Sequence, residues 1–136
     1  MNKFLVDTNV LVRFIVEDDQ SKYNSFINIV DKVDNGEISL IIPTIVIAEC
    51  CWLLRSFYKF EKQLIKEHLV NVLEVDNIDP EEEVAIEALT LFAEKNVDFA
   101  DALLSVKSRK NTPVLTWDKK DFNKLNCEYY IPDEIL

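Results

Sequence analysis

The sequence predicts an α/β fold in which helices flank a short, mainly parallel sheet. Three observations lead to this prediction. Short apolar runs alternate with longer segments whose apolar residues recur at helical spacing. The run Ile38–Ile42 is apolar almost throughout, as in a strand that helices cover on both faces. Finally, the only glycine, Gly36, directly follows a helical segment, where a left-handed residue ends a helix.

Length and composition fit one globular domain over residues 1–136. The chain is 49% apolar and 29% charged, and one glycine and four prolines leave no flexible linker. No apolar run reaches the length of a membrane span. The first seven residues contain one lysine and then an acid, unlike a signal peptide, so we expect a cytoplasmic protein.

Cysteine usage and net charge narrow the chemistry. Cys50, Cys51 and Cys127 are odd in number and lack CxxC spacing, and His68 is the only histidine. We therefore expect buried free thiols and no zinc site or disulfide framework. The formal charge of −10 disfavours ordinary nucleic-acid binding, but it is compatible with a nuclease whose acids hold divalent cations.

The first apolar run, at residues 4–6, predicts a short buried strand that ends on Asp7. Val10, Leu11, Phe14 and Ile15 then recur at helical spacing. An acid at the carboxyl end of a strand is a site candidate, because ligands bind there in open α/β folds. Asp7 could also simply cap the helix. If Asp7 is a ligand, the capping role passes to Thr8 and Asn9.

A second helix, capped by Asp19 or Ser21, ends at Asn35-Gly36, and a third begins at Pro43-Thr44 after the strand Ile38–Ile42. Glu49 lies inside this third helix among apolar neighbours. A buried carboxylate needs a partner, so Glu49 faces either a wet side of the helix or a cleft, and we expect the cleft.

Helical patterning continues to about residue 75, with a break expected near residues 60–61 because an unbroken helix would be unusually long. If the helix did run on, four basic residues would form a stripe, which is more often a solvated face than a phosphate contact. They are Arg55, Lys59, Lys62 and Lys66. Asp79-Pro80-Glu81-Glu82 has the signature of a helix start, and this helix should run to about Lys95.

The next helix begins at Asp98-Phe99-Ala100-Asp101 and should bury Ala102, Leu103, Leu104 and Val106 before it ends near Lys110-Asn111. Asp98 and Asp101 have the spacing of a capping box, but only one acid is needed as a cap, so Asp101 could point into a cleft. Residues 112–116 predict a strand that ends on Thr116-Trp117-Asp118. A short helix at 119–125 and a weak strand at 128–131 follow.

Elimination leaves carboxylates as the chemical groups of the site. One histidine, one glycine and the absence of phosphate-loop sequences exclude a serine-type triad and a nucleotide-phosphate loop. Right-handed parallel crossovers bring the carboxyl ends of strands to one sheet edge, where Asp7 and Asp118 would meet, near Glu49 and Asp101. Such acids repel one another unless a cation binds, and oxygen ligands alone favour Mg²⁺ or Mn²⁺. Metal-assisted hydrolysis of a phosphodiester is the reaction natural to this site.

Four stretches in order resemble the motifs of PIN-domain ribonucleases, and most of all VapC-type toxins of toxin-antitoxin pairs. They are FLVDTNVL at 4–11, Glu49 after the second strand, DFADAL at 98–103 and LTWDKKDF at 115–122. The resemblance implies a three-layer α/β/α sandwich. It also implies metal-binding roles for Asp7, Glu49, Asp101 and, least clearly, Asp118. Thr8, Asn9, Thr116, Asp98 and Asp121 would be supporting polar residues.

The resemblance further implies a homodimer, an RNA substrate such as tRNA, rRNA or mRNA, and a cognate antitoxin. An antitoxin tail bearing arginine would pair with the acidic site. Two alternatives stay open. One is a catalytically silent PIN-like module that binds RNA or protein. The other is a receiver-like or phosphoryl-transfer domain, which also places acids at strand ends and for which Lys119 or Lys120 could serve as the late lysine.

Overall fold

The chain forms two separate sheets, each built of parallel strands, in the computed structural model, which describes residues 2–109 and 111–136. The chain consists of two compact units, the first ending at Glu83 and the second beginning at Val84. The first unit contains β1 (Asn2–Leu5), α1 (Thr8–Val16), α2 (Gln20–Asp34), β2 (Ile38–Ile42), α3 (Thr44–Ser56), α4 (Lys62–Leu73) and β3 (Ile78–Pro80). The second contains α5 (Ala85–Glu94), α6 (Phe99–Lys107), β4 (Val114–Leu115), α7 (Lys119–Lys124), β5 (Tyr129–Tyr130) and a 3₁₀ turn (Pro132–Glu134).

The sheet of the first unit is parallel, with strand order β1-β2-β3 and Leu40 opposite both Phe4 and Ile78. Two helices connect each strand to the next, as parallel pairing requires. The central strand β2 buries Leu40 and Ile42, as predicted from its apolar run. The prediction of a buried first strand is wrong, because all four residues of β1, one of the two edge strands of this sheet, are exposed. Phe4 is 52% exposed and Leu5 72% exposed.

Helix α3 presents a single buried face, formed by Val46, Ile47, Cys50, Cys51 and Leu54. The predicted break after it is confirmed, since α3 ends at Ser56 and α4 begins at Lys62. The four basic residues therefore do not share one helix, and Lys59 lies between the helices with a positive φ of 62°. Arg55 donates to the Phe60 carbonyl at 3.2 Å and pairs with Glu61 at 3.9 Å.

The predicted helix start at Asp79-Pro80 is wrong, because Ile78–Pro80 forms β3 and α5 begins only at Ala85. Ile78 is 1% exposed and pairs with Leu40, so burial of one apolar side chain outweighs the capping signal of the acids that follow. Pro80 is tolerated because β3 is an edge strand of its sheet. The end of the helix is as predicted, with Lys95 at its C-cap.

The second unit pairs β4 with β5 in parallel across α7. Both strands are two residues long and lie within the predicted segments, and α7 lies where expected. Helix α6 buries Phe99, Ala102, Ser105 and Val106, whereas Leu104, predicted to point inward, is 47% exposed. The helix ends at Lys107, before its predicted end at Lys110-Asn111, and Lys110 itself lies outside the described residues.

Asparagine takes the place of glycine in the turns of this chain. Gly36 has φ = 76° at the end of α2, as the sequence predicted, and four asparagines also have positive φ: Asn77, Asn96, Asn111 and Asn126. Asparagine tolerates this left-handed conformation better than most residues do. At each of these positions most other residues with a side chain would be strained by the positive φ.

The three cysteines are free, and Cys50 and Cys51 are buried, which confirms the prediction for these two thiols. Cys127 is only partly buried. Among residues 2–109 and 111–136, none of the helices has both the length and the apolar character needed to cross a bilayer.

Candidate functional site

Asp7 is the N-cap of α1 in the first unit. Its Oδ1 accepts a hydrogen bond from the Thr8 amide at 2.7 Å, and its Oδ2 accepts one from Asn9 Nδ2 at 3.4 Å. The assignment of the capping role to Thr8 and Asn9 is therefore wrong: Asp7 is the cap and Asn9 supports its carboxylate. Capping does not exclude ligand binding, because the Asp7 side chain is on an exposed residue and each oxygen keeps a further lone pair.

Thr8 connects the start of α1 to α3. Its hydroxyl donates to Glu49 Oε2 at 3.3 Å, so the Glu49 carboxylate lies beside the residue that follows Asp7. The charges of Glu49 and Asp7 also act on the buried Cys50 thiol. Burial is the larger cause and the two carboxylates add to it, raising the pKa of Cys50 to about 12. The first unit thus brings Asp7, Thr8 and Glu49 together.

The sequence left a wet helix face and a cleft open for Glu49, and its carboxylate is both exposed and in a groove. Glu49 is exposed, because the buried residues of α3 lie on the opposite side of the helix. It nevertheless lines an open groove of about 320 Å³ with Thr8, Ala48, Trp52 and Leu53. A carboxylate in such a groove is accessible both to a hydrated cation and to a substrate.

Three aspartates form an acidic cluster in the second unit: Asp101 on α6, Asp118 before α7 and Asp121 on α7. One carboxylate oxygen from each lies within 4.8 Å of the others. Burial raises the pKa of Asp101 above its ordinary value, and the negative charges of Asp98, Asp118 and Asp121 raise it further. The cluster therefore has the mutual repulsion that a bound cation would relieve.

Backbone contacts fix the Asp118 end of the cluster. The Asp118 amide donates to Thr116 Oγ1 at 2.9 Å, and Asp118 Oδ1 accepts from the Asp121 amide at 3.0 Å as the N-cap of α7. Thr116 thus supports Asp118, as the sequence indicated. Asp98 occupies the N-cap position of α6 without a side-chain cap bond. Its part is electrostatic, since its charge acts on Asp101.

Sequence reasoning gave Asp121 only a supporting role, whereas its carboxylate is a full member of the acidic cluster. The signal that could have identified it is its spacing. Asp121 stands three residues after Asp118 in the first turn of a short helix, so both acids point to the same end of α7. Lys124 lies 3.7 Å from Asp121 and neutralises part of its charge.

A comparison with known protein families matches residues 4–126 to the PIN domain. The chain belongs to the PIN domain family. This membership confirms the predicted three-layer α/β/α fold class and removes the receiver-like alternative. Among curated proteins, the chain is similar to "VapC ribonuclease" of Aquifex aeolicus (strain VF5), with 29% identity over 107 residues and coverage of 78% of each chain. The convergence of Asp7 and Glu49 with the acidic cluster stays a prediction from the sequence.

Proposed function

We propose that this PIN-domain protein is a divalent-metal-dependent endoribonuclease that hydrolyses RNA phosphodiester bonds and acts as the toxin of a toxin-antitoxin pair. The observation that carries the proposal is the acidic cluster within the stretch that matches the PIN domain, in a chain similar to a VapC ribonuclease. A catalytically silent PIN-like module would have no need of these acids, and none is missing.

The donor chemistry fits Mg²⁺ or Mn²⁺. Asp101, Asp118 and Asp121 offer only oxygen atoms, and Asp7 and Glu49 add two more carboxylates without histidine or thiolate. We propose Asp7, Glu49, Asp101 and Asp118 as the metal-binding and catalytic acids, with Asp121 as an additional ligand. A divalent cation, when bound, supplies the positive charge that a phosphodiester needs before water can attack it.

The other polar residues hold these acids in place. The Thr8 hydroxyl orients the Glu49 carboxylate, and Asn9 Nδ2 orients the second oxygen of Asp7. Thr116 Oγ1 holds the Asp118 amide, which fixes the turn that leads into α7. Such outer contacts keep carboxylates from collapsing onto neighbouring donors before a cation binds.

We propose that residues 1–136 form one PIN-like domain. The support is the family match, which runs without interruption from residue 4 to residue 126 and so includes the motifs of both units.

The remaining proposals concern partners. We propose a cytoplasmic homodimer that cleaves a cellular RNA of the tRNA, rRNA or mRNA class and is inhibited by a cognate antitoxin. The net charge of −10 suits an antitoxin tail bearing arginine, since guanidinium groups pair with carboxylates in two parallel hydrogen bonds. The similarity to a VapC ribonuclease supports this pairing.

The test uses purified full-length protein with total cellular RNA, with and without Mg²⁺. Asp101→Asn replaces a carboxylate by an isosteric amide at an acid whose pKa is raised by burial and by its acidic neighbours, and we expect it to lower the cleavage rate by at least about a hundredfold. Asp31→Asn is the matched control, since Asp31 is an exposed acid on α2 remote in sequence from every motif.

Cleavage that persists in Asp101→Asn, or that is equal in Mg²⁺ and in EDTA, would contradict the metal-dependent mechanism. A titration of the wild-type protein with Mn²⁺ by calorimetry separates the silent module from the enzyme, because a silent module takes up no ion specifically.

A further inference from the structure

Both tryptophans of the chain are exposed, and each stands beside a proposed metal-binding acid. Trp52 is 67% exposed and Trp117 is 73% exposed. Tryptophan is highly buried on average in folded proteins, so the exposure of both indole rings is unusual and indicates a binding role. Among residues 2–109 and 111–136, neither ring stacks on another aromatic ring.

Trp52 lies on the same face of α3 as Glu49, three residues and about one turn further along. The two side chains line the same open groove, together with Thr8, whose hydroxyl holds the Glu49 carboxylate at 3.3 Å. The volume of this groove, about 320 Å³, lies at the lower end of the range of small-molecule sites and is enough for one planar ring. The Trp52 ring is therefore one wall of the groove that contains Glu49.

Trp117 directly precedes Asp118 in the second unit. Its carbonyl accepts from the Lys119 amide at 3.0 Å, while the Asp118 amide donates to Thr116 Oγ1 at 2.9 Å. These bonds fix the backbone on both sides of the tryptophan and leave its ring in solvent. Trp117 thus exposes an aromatic ring next to the acidic cluster, on a backbone that hydrogen bonds hold in place.

The charges of the chain make phosphate contacts a weak source of RNA affinity. The formal charge is −10, and each of the three arginines already pairs with an acid of its own unit. The pairs are Arg13 with Asp18, Arg55 with Glu61 and Arg109 with Glu87. A ligand whose backbone is repelled must be held by something other than its charge, and every nucleobase has a flat face that stacks on an indole.

We propose that Trp52 and Trp117 are stacking platforms for nucleobases of single-stranded RNA, and that each ring holds a base beside the acids of its own unit. This inference rests on the proposed ribonuclease function and adds the source of substrate affinity. Two consequences follow. Binding depends on the rings more than on the lysines, and it depends only weakly on salt, because few counterions are released when few phosphates are neutralised.

The experiment measures binding of a fluorescein-labelled ten-nucleotide polyadenylate RNA by fluorescence anisotropy, in Ca²⁺ instead of Mg²⁺. We expect Trp52→Ala and Trp117→Ala each to weaken binding by about 5- to 150-fold, and Trp52→Phe and Trp117→Phe to restore most of it. Phe57→Ala is the matched control, since Phe57 is 69% exposed at the end of the same helix but follows Trp52 by five residues and so faces another direction.

Intrinsic fluorescence gives a second readout that does not depend on activity. Because the chain has only two tryptophans, Trp117→Phe leaves Trp52 as the single tryptophan and Trp52→Phe leaves Trp117, and excitation selective for indole reports on that ring alone. We expect RNA to quench each of them. Raising salt from 50 to 200 mM should weaken binding by only about sevenfold, as for roughly two phosphate contacts on a single strand.

Three results would overturn the proposal. The first is wild-type affinity in both alanine variants. The second is RNA binding that leaves the tryptophan fluorescence unquenched and weakens by more than about a hundredfold between 50 and 200 mM salt. Such a result would indicate that phosphate contacts supply the affinity. The third is a change of oligomeric state in the alanine variants with RNA binding intact, which would make the rings a protein interface. If the wild-type protein cleaves RNA in Mg²⁺ but gives one of these results, only the stacking proposal fails. If it neither binds nor cleaves RNA, the proposed function fails with it.

Discussion

Asp7 is predicted to have two separable roles, and two substitutions distinguish them. Asp7→Asn keeps an N-cap acceptor of similar shape but removes the negative charge. Asp7→Ala removes both the acceptor and the charge. If Asp7 caps α1 and also binds metal, only the alanine variant should lose stability, and both variants should lose metal binding.

The magnitude follows from the geometry of the cap. Loss of an N-cap acceptor costs about 0.5–2 kcal/mol, but the usual cap accepts from the second or third helical amide. Asp7 accepts from Thr8, the first helical residue, at 2.7 Å. We therefore expect the lower half of that range, about 0.5–1 kcal/mol for Asp7→Ala, which corresponds to a decrease in Tm of roughly 2–5 °C. Asparagine is as good a cap as aspartate, so Asp7→Asn should keep the wild-type Tm.

The assay is thermal unfolding followed by circular dichroism, with and without Mn²⁺. Binding to the folded state alone raises the Tm of the wild-type protein, and this rise should shrink in both variants. If Asp7→Asn is as unstable as Asp7→Ala, the negative charge of Asp7 itself stabilises the fold, and the two roles are not separable. The reasoning is also refuted if both variants retain the full Mn²⁺-induced rise, because Asp7 would then be a cap only.

Three further predictions concern other parts of the chain. The folded-state pKa of Asp101 is raised, so protonation should weaken Mn²⁺ binding as pH falls, beginning above the ordinary aspartate range. In metal-free protein the same shift should make stability rise as pH falls through that pKa. Calorimetric titrations and urea unfolding at several pH values would check both signs, with Asp101→Asn abolishing both effects. Ile78→Ala should lower the free energy of unfolding, measured by urea denaturation, by about 2–5 kcal/mol. Ile29→Ala, at a site 36% exposed, should lower it by under about 1 kcal/mol, and equal decreases would contradict the burial of β3. Iodoacetamide should alkylate Cys127 alone in native protein, because Cys50 and Cys51 are buried and Cys127 is only partly buried, and mass spectrometry showing early modification of either buried thiol would contradict this.

Elements with a strong local signal were predictable from the sequence. The run of β2, the end of α2 at Asn35-Gly36 and the break between α3 and α4 are all determined by apolar pattern, turn residues and helix length. The strand β3 was missed because three residues carry no periodicity, while the acids that follow Pro80 imitate a helix start. What makes Ile78–Pro80 a strand is pairing with β2, a contact distant in sequence.

The acids of the candidate site were proposed from the sequence, and the structure brings two of them, Asp101 and Asp118, together with Asp121. Asp101 and Asp118 are close because α6 and α7 pack together, and Asp121 joins them through helical spacing. The apolar sequence neighbours of Glu49 left open whether it faces solvent or a cleft, because burial on a helix is decided by the angle around the axis. Asp7 caps α1, and its carboxylate keeps acceptor capacity for a cation, so the cap and the proposed ligand role are compatible.

The asparagines with positive φ affect the unfolded chain as well as the turns. A glycine in each of those turns would have adopted the left-handed conformation without strain, but it would also have given the unfolded chain many more backbone conformations to lose on folding. By using asparagine at Asn77, Asn96, Asn111 and Asn126, the chain accepts a small local strain in exchange for a less disordered unfolded state. With a single glycine in 136 residues, this protein has a denatured ensemble of lower backbone entropy than a chain with glycine at those four positions would have.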